Sequence, residues 1–266
     1  MVALLAQLCP APAAPIANAA RAAHTIGEYP EADLAVFPEL FVSGYRLDHL
    51  DQVAVEIDGP ELGFVARAAA EAGTAAIVGF VERSGRDFYN AVACFDEQGE
   101  LAGVYRKLKL FGEETAAFLP GRRMLLVELA GRTVVPMVCF DMEFPELARA
   151  AALAGADLFV TVAANMEPYG REHRVHALAR ALENRIPHLY LNRVGQESGF
   201  AFTGETCSID ADGVVLAQAD GREERFLLAE VGRAGATDTR VEYLAFEPSR
   251  PSVEVQAKSH SRGGAR

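Results

Sequence analysis

Short apolar runs alternate along the chain with longer stretches in which apolar positions recur every three or four residues. The short runs predict strands at 2–8, 34–37, 75–81, 90–96, 101–105, 124–129, 133–139, 158–162, 188–192, 206–209, 214–217 and 225–231. The longer period predicts helices over 16–28, 60–72, 145–153 and 171–184. Asp96-Glu97-Gln98-Gly99 and Asp210-Ala211-Asp212-Gly213 read as hairpin turns. Helices fall between strands, so the expected class is α/β, a mixed arrangement with strands covered by helices. There is no internal repeat or low-complexity linker. One domain over 1–250 is expected, with 251–266 as a partly disordered tail, because periodicity fades from Gly232.

Composition narrows the partners. Half of the 266 residues are hydrophobic, enough for a large core. Twenty-five basic residues against 37 acidic give a formal charge of −12, with no basic block. Nucleic acid and anionic membrane both need clustered positive charge, so neither is an expected partner. Residues 1–15 are apolar, yet they lack a basic leader region and are broken by Pro10, Pro12 and Pro15. They read as a strand and loop rather than a signal peptide. No run approaches the roughly 18 apolar residues of a membrane span. Cys9, Cys94, Cys139 and Cys207 have neither CxxC nor metal spacing. A reducing, cytoplasmic setting is expected.

Three strand ends carry chemistry. The apolar run 134–138 stops at Cys139, and Pro145-Glu146 then opens a helix. A thiol at such a turn is placed as a nucleophile, and turn amides such as the N–H of Phe140 can receive an oxyanion. The alternative is a small buried hydrophobe, which is what most free cysteines are. A second run, 35–38, ends on Glu39, and a third places Lys107 among large apolar residues in Tyr105-Arg106-Lys107-Leu108-Lys109-Leu110-Phe111. Taken singly, Glu39 reads as an exposed loop acid and Lys107 as a snorkelling surface residue.

Together the three segments resemble the nitrilase (carbon–nitrogen hydrolase) superfamily. The matching pieces are Phe37-Pro38-Glu39-Leu40, the 105–111 segment, and Cys139-Phe140-Asp141-Met142-Glu143-Phe144-Pro145-Glu146. Secondary matches are Phe118-Leu119-Pro120-Gly121, Arg180-Ala181-Leu182-Glu183-Asn184 and Asn192-Arg193-Val194-Gly195. The resemblance implies a four-layer α-β-β-α sandwich of two mixed sheets and a Glu39, Lys107, Cys139 triad. It also implies a second glutamate, Glu114 or its neighbour Glu113, placing Lys107 and the substrate amide. A homodimer or larger assembly is implied, with the 171–184 helix as candidate interface. No cofactor is implied.

The expected reaction is hydrolysis of a small amide through a cysteine thioester, with release of ammonia. Many members have arginine four residues after the nucleophile, where this chain has Glu143. Arginine there can hold a substrate carboxylate, and Glu143 cannot. A neutral or amine-bearing amide is therefore favoured, with Glu143 and Glu167 as candidate partners for an amine; Glu143 as a helix cap is the alternative. Asn165 and Met166 follow a strand end and are expected at the pocket mouth, with Tyr45 and Phe202. The other readings are an N-carbamoyl amine or amino-acid hydrolase, an ω-amidase, a nitrilase, or a silent scaffold on this fold. His173 and His176 lie three apart on a helix, but the order is not His-Glu-x-x-His and there is no third ligand, so no metal is expected.

Overall fold

A computed structural model describes residues 1–233. The expected tail at 251–266 and the last part of the expected domain lie outside the described residues. Sheet one contains β1 (Val2–Gln7), β2 (Leu34–Val36), β3 (Ala75–Ser84), β4 (Asp87–Phe95), β5 (Leu101–Arg106) and β14 (Arg225–Glu230), in the order β14-β1-β2-β3-β4-β5. Sheet two contains β6 (Val127–Leu129), β7 (Arg132–Val138), β8 (Leu158–Ala163), β9 (His188–Asn192), β12 (Cys207–Ile209) and β13 (Val215–Gln218), in the order β13-β12-β9-β8-β7-β6. A two-stranded hairpin, β10 (Val194–Glu197) and β11 (Phe200–Thr203), stands apart. Both large sheets mix parallel and antiparallel pairs: β1-β2-β3 and β7-β8-β9 are parallel, and the flanking pairs are antiparallel.

Side-chain alternation explains the layering, because successive residues of a strand point to opposite faces. From β1 and β7, Ala3, Leu5, Val134 and Val138 meet in one core between the sheets. Leu4 and Ala6 face the other way, against α1 (Pro15–Glu28) and α3 (Pro60–Ala72). Val135 and Met137 face outward onto α5 (Pro145–Leu153). Helix α6 (Gly170–Asn184) packs beside α5 and over β9. The result is the expected four-layer α-β-β-α sandwich.

Some predicted elements differ. The expected strand 124–129 shortens to β6, since Met124 and Leu125 pack on the core without pairing. No strand is predicted between 192 and 206, yet Val194–Glu197 and Phe200–Thr203 pair as β10 and β11. The one-turn helices α2 (Leu50–Val53) and α4 (Glu114–Ala117) lack enough residues for a period and carry no sequence signal. Cys139 does not lead straight into α5: a 3₁₀ turn, Cys139–Glu143, comes between them.

The parallel directions gather the C-terminal ends of β2, β5, β7 and β8 on one side of the sandwich. That is the edge where open α/β sheets place ligands.

Candidate active site

Glu39 follows β2 in a tight turn, with Leu40 at φ 52°. The turn lies directly on β3: a Cβ on Gly79 would fall 2.4 Å from the Pro38 carbonyl and 2.6 Å from the Leu40 nitrogen. Only glycine permits that approach. Lys107 leaves the end of β5, its N–H donating to the Asn90 carbonyl and its carbonyl accepting from Gly121. Glu114 opens α4. All three side chains are buried, and Lys107 Nζ lies 2.7 Å from Glu39 Oε1 and 2.8 Å from Glu114 Oε2.

The two carboxylates differ in how fully they are used. Glu114 accepts from Lys107, Tyr45 O–H and Asn90 Nδ2 at Oε1, and from Lys107 and Phe111 N–H at Oε2. Glu39 accepts from Lys107 and Asn90 at Oε1, but from Ala164 N–H alone at Oε2, at 2.6 Å. Each carboxylate oxygen offers two lone pairs, so one site on Glu39 Oε2 stays free while Glu114 is saturated. Burial alone would push Lys107 down, but Glu114 and Glu39 outweigh it and hold the ammonium well above its ordinary range. Burial raises Glu114, with Lys107 opposing. With all three groups ionised the cluster carries one net negative charge.

Cys139 opens the 3₁₀ turn with φ 46°, a region that costs a non-glycine residue about 1–3 kcal/mol. Asp141 holds that turn, its carboxylate accepting from Val138 N–H, Tyr105 O–H and the N–H groups of Leu108 and Lys109. One buried acid thus ties the chain just after Lys107 to the chain just before Cys139. Burial lifts Asp141 to about 6. From α6, Arg180 Nε donates to the Met142 carbonyl at 2.8 Å and pins the far end of the turn. Burial raises the Cys139 thiol well above its ordinary value; the charge of Glu39 adds to this and Lys107 opposes it.

A cavity of about 240 Å³ opens on this cluster. Cys139, Lys107, Tyr45, Phe140, Glu143, Asn165 and Met166 line it, with Phe111, Tyr169, Glu172 and His173. Glu39 and Glu114 stand behind the wall. Glu113 is exposed and faces a different, outer cleft, so the two neighbouring glutamates separate cleanly. Phe202 is off the wall, packing edge-on to Tyr45 beneath the Arg193 guanidinium. Glu167 is exposed and also off the wall. The Glu143 side chain turns to His173 and His176 of α6 rather than capping α5.

Residues 3–241 match the family model described as carbon-nitrogen hydrolase. The chain belongs to the carbon–nitrogen hydrolase family. An (R)-stereoselective amidase of Pseudomonas sp. is 34% identical over 235 residues, covering 88% of this chain and 85% of that one. A 2-oxoglutaramate amidase of Bacillus subtilis is 30% identical over 229 residues, covering 85% and 88%. Among solved structures, a variant of the amidase from Nesterenkonia sp. AN1 superposes with a TM-score of 0.83 at 27% identity, covering 93% of this chain and 96% of that one. It shows Michael addition of acrylamide at its active site cysteine. This carbon–nitrogen hydrolase is accordingly a cysteine-dependent enzyme that cleaves amide C–N bonds.

Several members of the hydrolase's site carried no signal as single residues. Asn90 reads as one polar position in an apolar strand, yet its amide bridges both glutamates. Those partners only accept, which fixes Nδ2 toward them. The Ala164 N–H acts through backbone alone. Among the described residues there is no helix long and apolar enough to cross a membrane.

Proposed function

We propose that the enzyme hydrolyses a small primary amide, neutral or amine-bearing, to a carboxylate and ammonia, with Cys139 as nucleophile. The observation that carries this reading is a thiol sharing one small cavity with an ammonium clamped by two unequal carboxylates. Glu39 takes the thiol proton at Oε2, its one free acceptor site. Sγ bonds to the amide carbon, and the oxyanion is met by Lys107 Nζ and the Phe140 N–H. Losing one such donor costs about 2.7–4 kcal/mol of transition-state stabilisation. As the C–N bond breaks, Glu39 returns its proton to the leaving nitrogen. Water then attacks the thioester carbon, Glu39 taking its proton; as the C–S bond breaks, Glu39 passes that proton to Sγ, releasing the acid and restoring the thiol. Glu114 has no free acceptor site, so its task is to place Lys107. Tyr45, Asn165 and Met166 border the substrate, and Phe202 supports Tyr45 from behind.

The ω-amidase alternative asks the cavity to receive a carboxylate, as 2-oxoglutaramate would require. With Glu143 on the wall and Lys107 already paired twice, like-charge contact disfavours it. We also infer a cytoplasmic homodimer or larger assembly. The support is exposed Leu153, Val175 and Leu182 on the outer helices α5 and α6, together with four unpaired cysteines.

The test is ammonia release from a panel of amides, ureido acids and nitriles, run beside Cys139→Ala. Release from amides that the variant loses is the expected outcome. Release only from ureido compounds or nitriles would displace the substrate reading while keeping the nucleophile. No release from any, with Cys139 inert to iodoacetamide, would leave a silent scaffold.

A further inference from the structure

Glu143 lines the same cavity as Cys139 and is held there. His173 Nε2 lies 3.2 Å from one carboxylate oxygen and His176 Nε2 3.8 Å from the other. A carboxylate only accepts, so His173 presents Nε2–H to Glu143. Its Nδ1 lies 3.2 Å from the Tyr190 hydroxyl. Both His173 and Tyr190 are buried, so the ring has no room to turn away. The hydrogen bond from His173 keeps Glu143 below the usual carboxylate range.

Two further observations share this wall. Glu172 lines the cavity too, while Lys107, the only lysine or arginine lining it among the described residues, spends its charge on Glu39 and Glu114. The rings of Phe111, Phe140 and Tyr169 also line the cavity. Phe111 stands edge-on to Phe140 at 5.4 Å and to Tyr169 at 5.7 Å. A fixed carboxylate beside aromatic rings is the chemistry that receives an ammonium, through an ion pair and the negative faces of the rings. The same wall repels a carboxylate, as does the chain's net charge of −12.

We propose that the cavity selects amides that carry a protonated amine. Glu143, pinned by His173, is the counter-ion, and Phe111, Phe140 and Tyr169 form the flanking box. This rests on the amide-hydrolase reading above and puts Glu172, on the cavity wall, where Glu167 was expected as the second acid.

The test compares kcat/KM for matched amides: glycinamide and β-alaninamide as cations, propionamide and butyramide as neutral counterparts, and succinamate as the anion. In the wild-type enzyme the better cation is expected to exceed its neutral counterpart by roughly tenfold or more, with succinamate slowest. In Glu143→Gln that ratio is expected to fall by about tenfold, carried by KM. A wild-type ratio near one, or a ratio unmoved in the variant, overturns the proposal. Should the variant fail to fold, inhibition of wild-type butyramide hydrolysis decides: propylammonium is expected to compete more tightly than butyrate, and the reverse order sinks the idea. Cys139-dependent turnover of neutral amides without cation preference defeats this inference alone. No Cys139-dependent turnover of any amide defeats the hydrolase reading with it.

Discussion

The two glutamates on Lys107 show how residue identity and residue role part. Both are buried, both touch the same ammonium, and both bond Asn90. Only the Ala164 side of Glu39 leaves a lone pair open, which supports Glu39 as the proton carrier proposed above. Glu39→Gln is expected to lower kcat by about 10²–10⁴-fold, with the circular dichroism spectrum retained. A variant turning over at the wild-type rate would refute the assignment of the base. Lys107→Met leaves two buried carboxylates facing each other. Removing one partner of a buried charge cluster costs about 3–5 kcal/mol, so the urea midpoint is expected to drop accordingly. An unchanged midpoint would mean that the carboxylates find another proton or cation.

At the scale of elements, the site depends on how closely strands and turns approach. Gly79→Ala places a methyl against the backbone of the Glu39 turn. Backbone cannot swing aside as a flexible side chain can, so a loss of about 1–3 kcal/mol is expected by thermal melting. The displaced Glu39 is expected to reduce kcat more than KM. The β10–β11 hairpin works at longer range. Glu197 Oε2 accepts from Tyr45 N–H at 2.9 Å and from Arg193 at 2.7 Å, and Ser198 donates to the Tyr45 carbonyl. Glu197→Gln weakens both bonds at Oε2 and loosens a ring that borders the cavity. The expected sign is a raised KM, with thiol reactivity unchanged.

What the sequence disclosed follows the same scale. Glu39, Lys107 and Cys139 stood out only as a set, because three strand-end segments together resemble one family; the register of that resemblance singles out Lys107 from Arg106 and Lys109. The Glu113–Glu114 choice stayed open in sequence, since adjacent acids in a short loop have no periodicity to separate them. Only the turn of α4 puts one inside and one outside. Asp141 and Arg180 lie in matched segments, but their roles, like that of Asn90, stayed hidden because they come from partners 32 to 36, 38 and 24 to 51 residues away. The hairpin was missed because its apolar side chains serve the Tyr45 loop instead of the main core. Glu143 drew notice by departing from the family pattern, but its attachment to His173 needed the packing of α6 against the 3₁₀ turn.

For the whole molecule, His188 joins the outer helix layer to sheet two. Its Nδ1 faces the Ala177 carbonyl of α6 at 3.0 Å, so Nδ1 carries the hydrogen and Nε2 accepts from Thr161 of β8. Burial lowers this histidine to about 4, against an ordinary value near 6.5. The unfolded chain takes up a proton below pH 6.5 that the folded chain refuses until about pH 4. Stability from this group is therefore complete above pH 6.5 and is lost as pH falls toward 4, by on the order of 3 kcal/mol. Urea titrations at several pH values, beside His188→Gln, would show it. A variant with the same acid slope would clear His188 of the effect.

Glu39 and Lys107 come from one sheet and Cys139 from the other, with Asp141 stitching the two strand ends together. A newly made chain therefore gathers Lys107 and Glu39 around its thiol only once the two sheets have packed together. Until then Cys139 is an ordinary cysteine. Under the proposed mechanism the chemistry is in effect time-locked: immature or damaged copies hold the thiol without the base and the oxyanion donor that turnover needs.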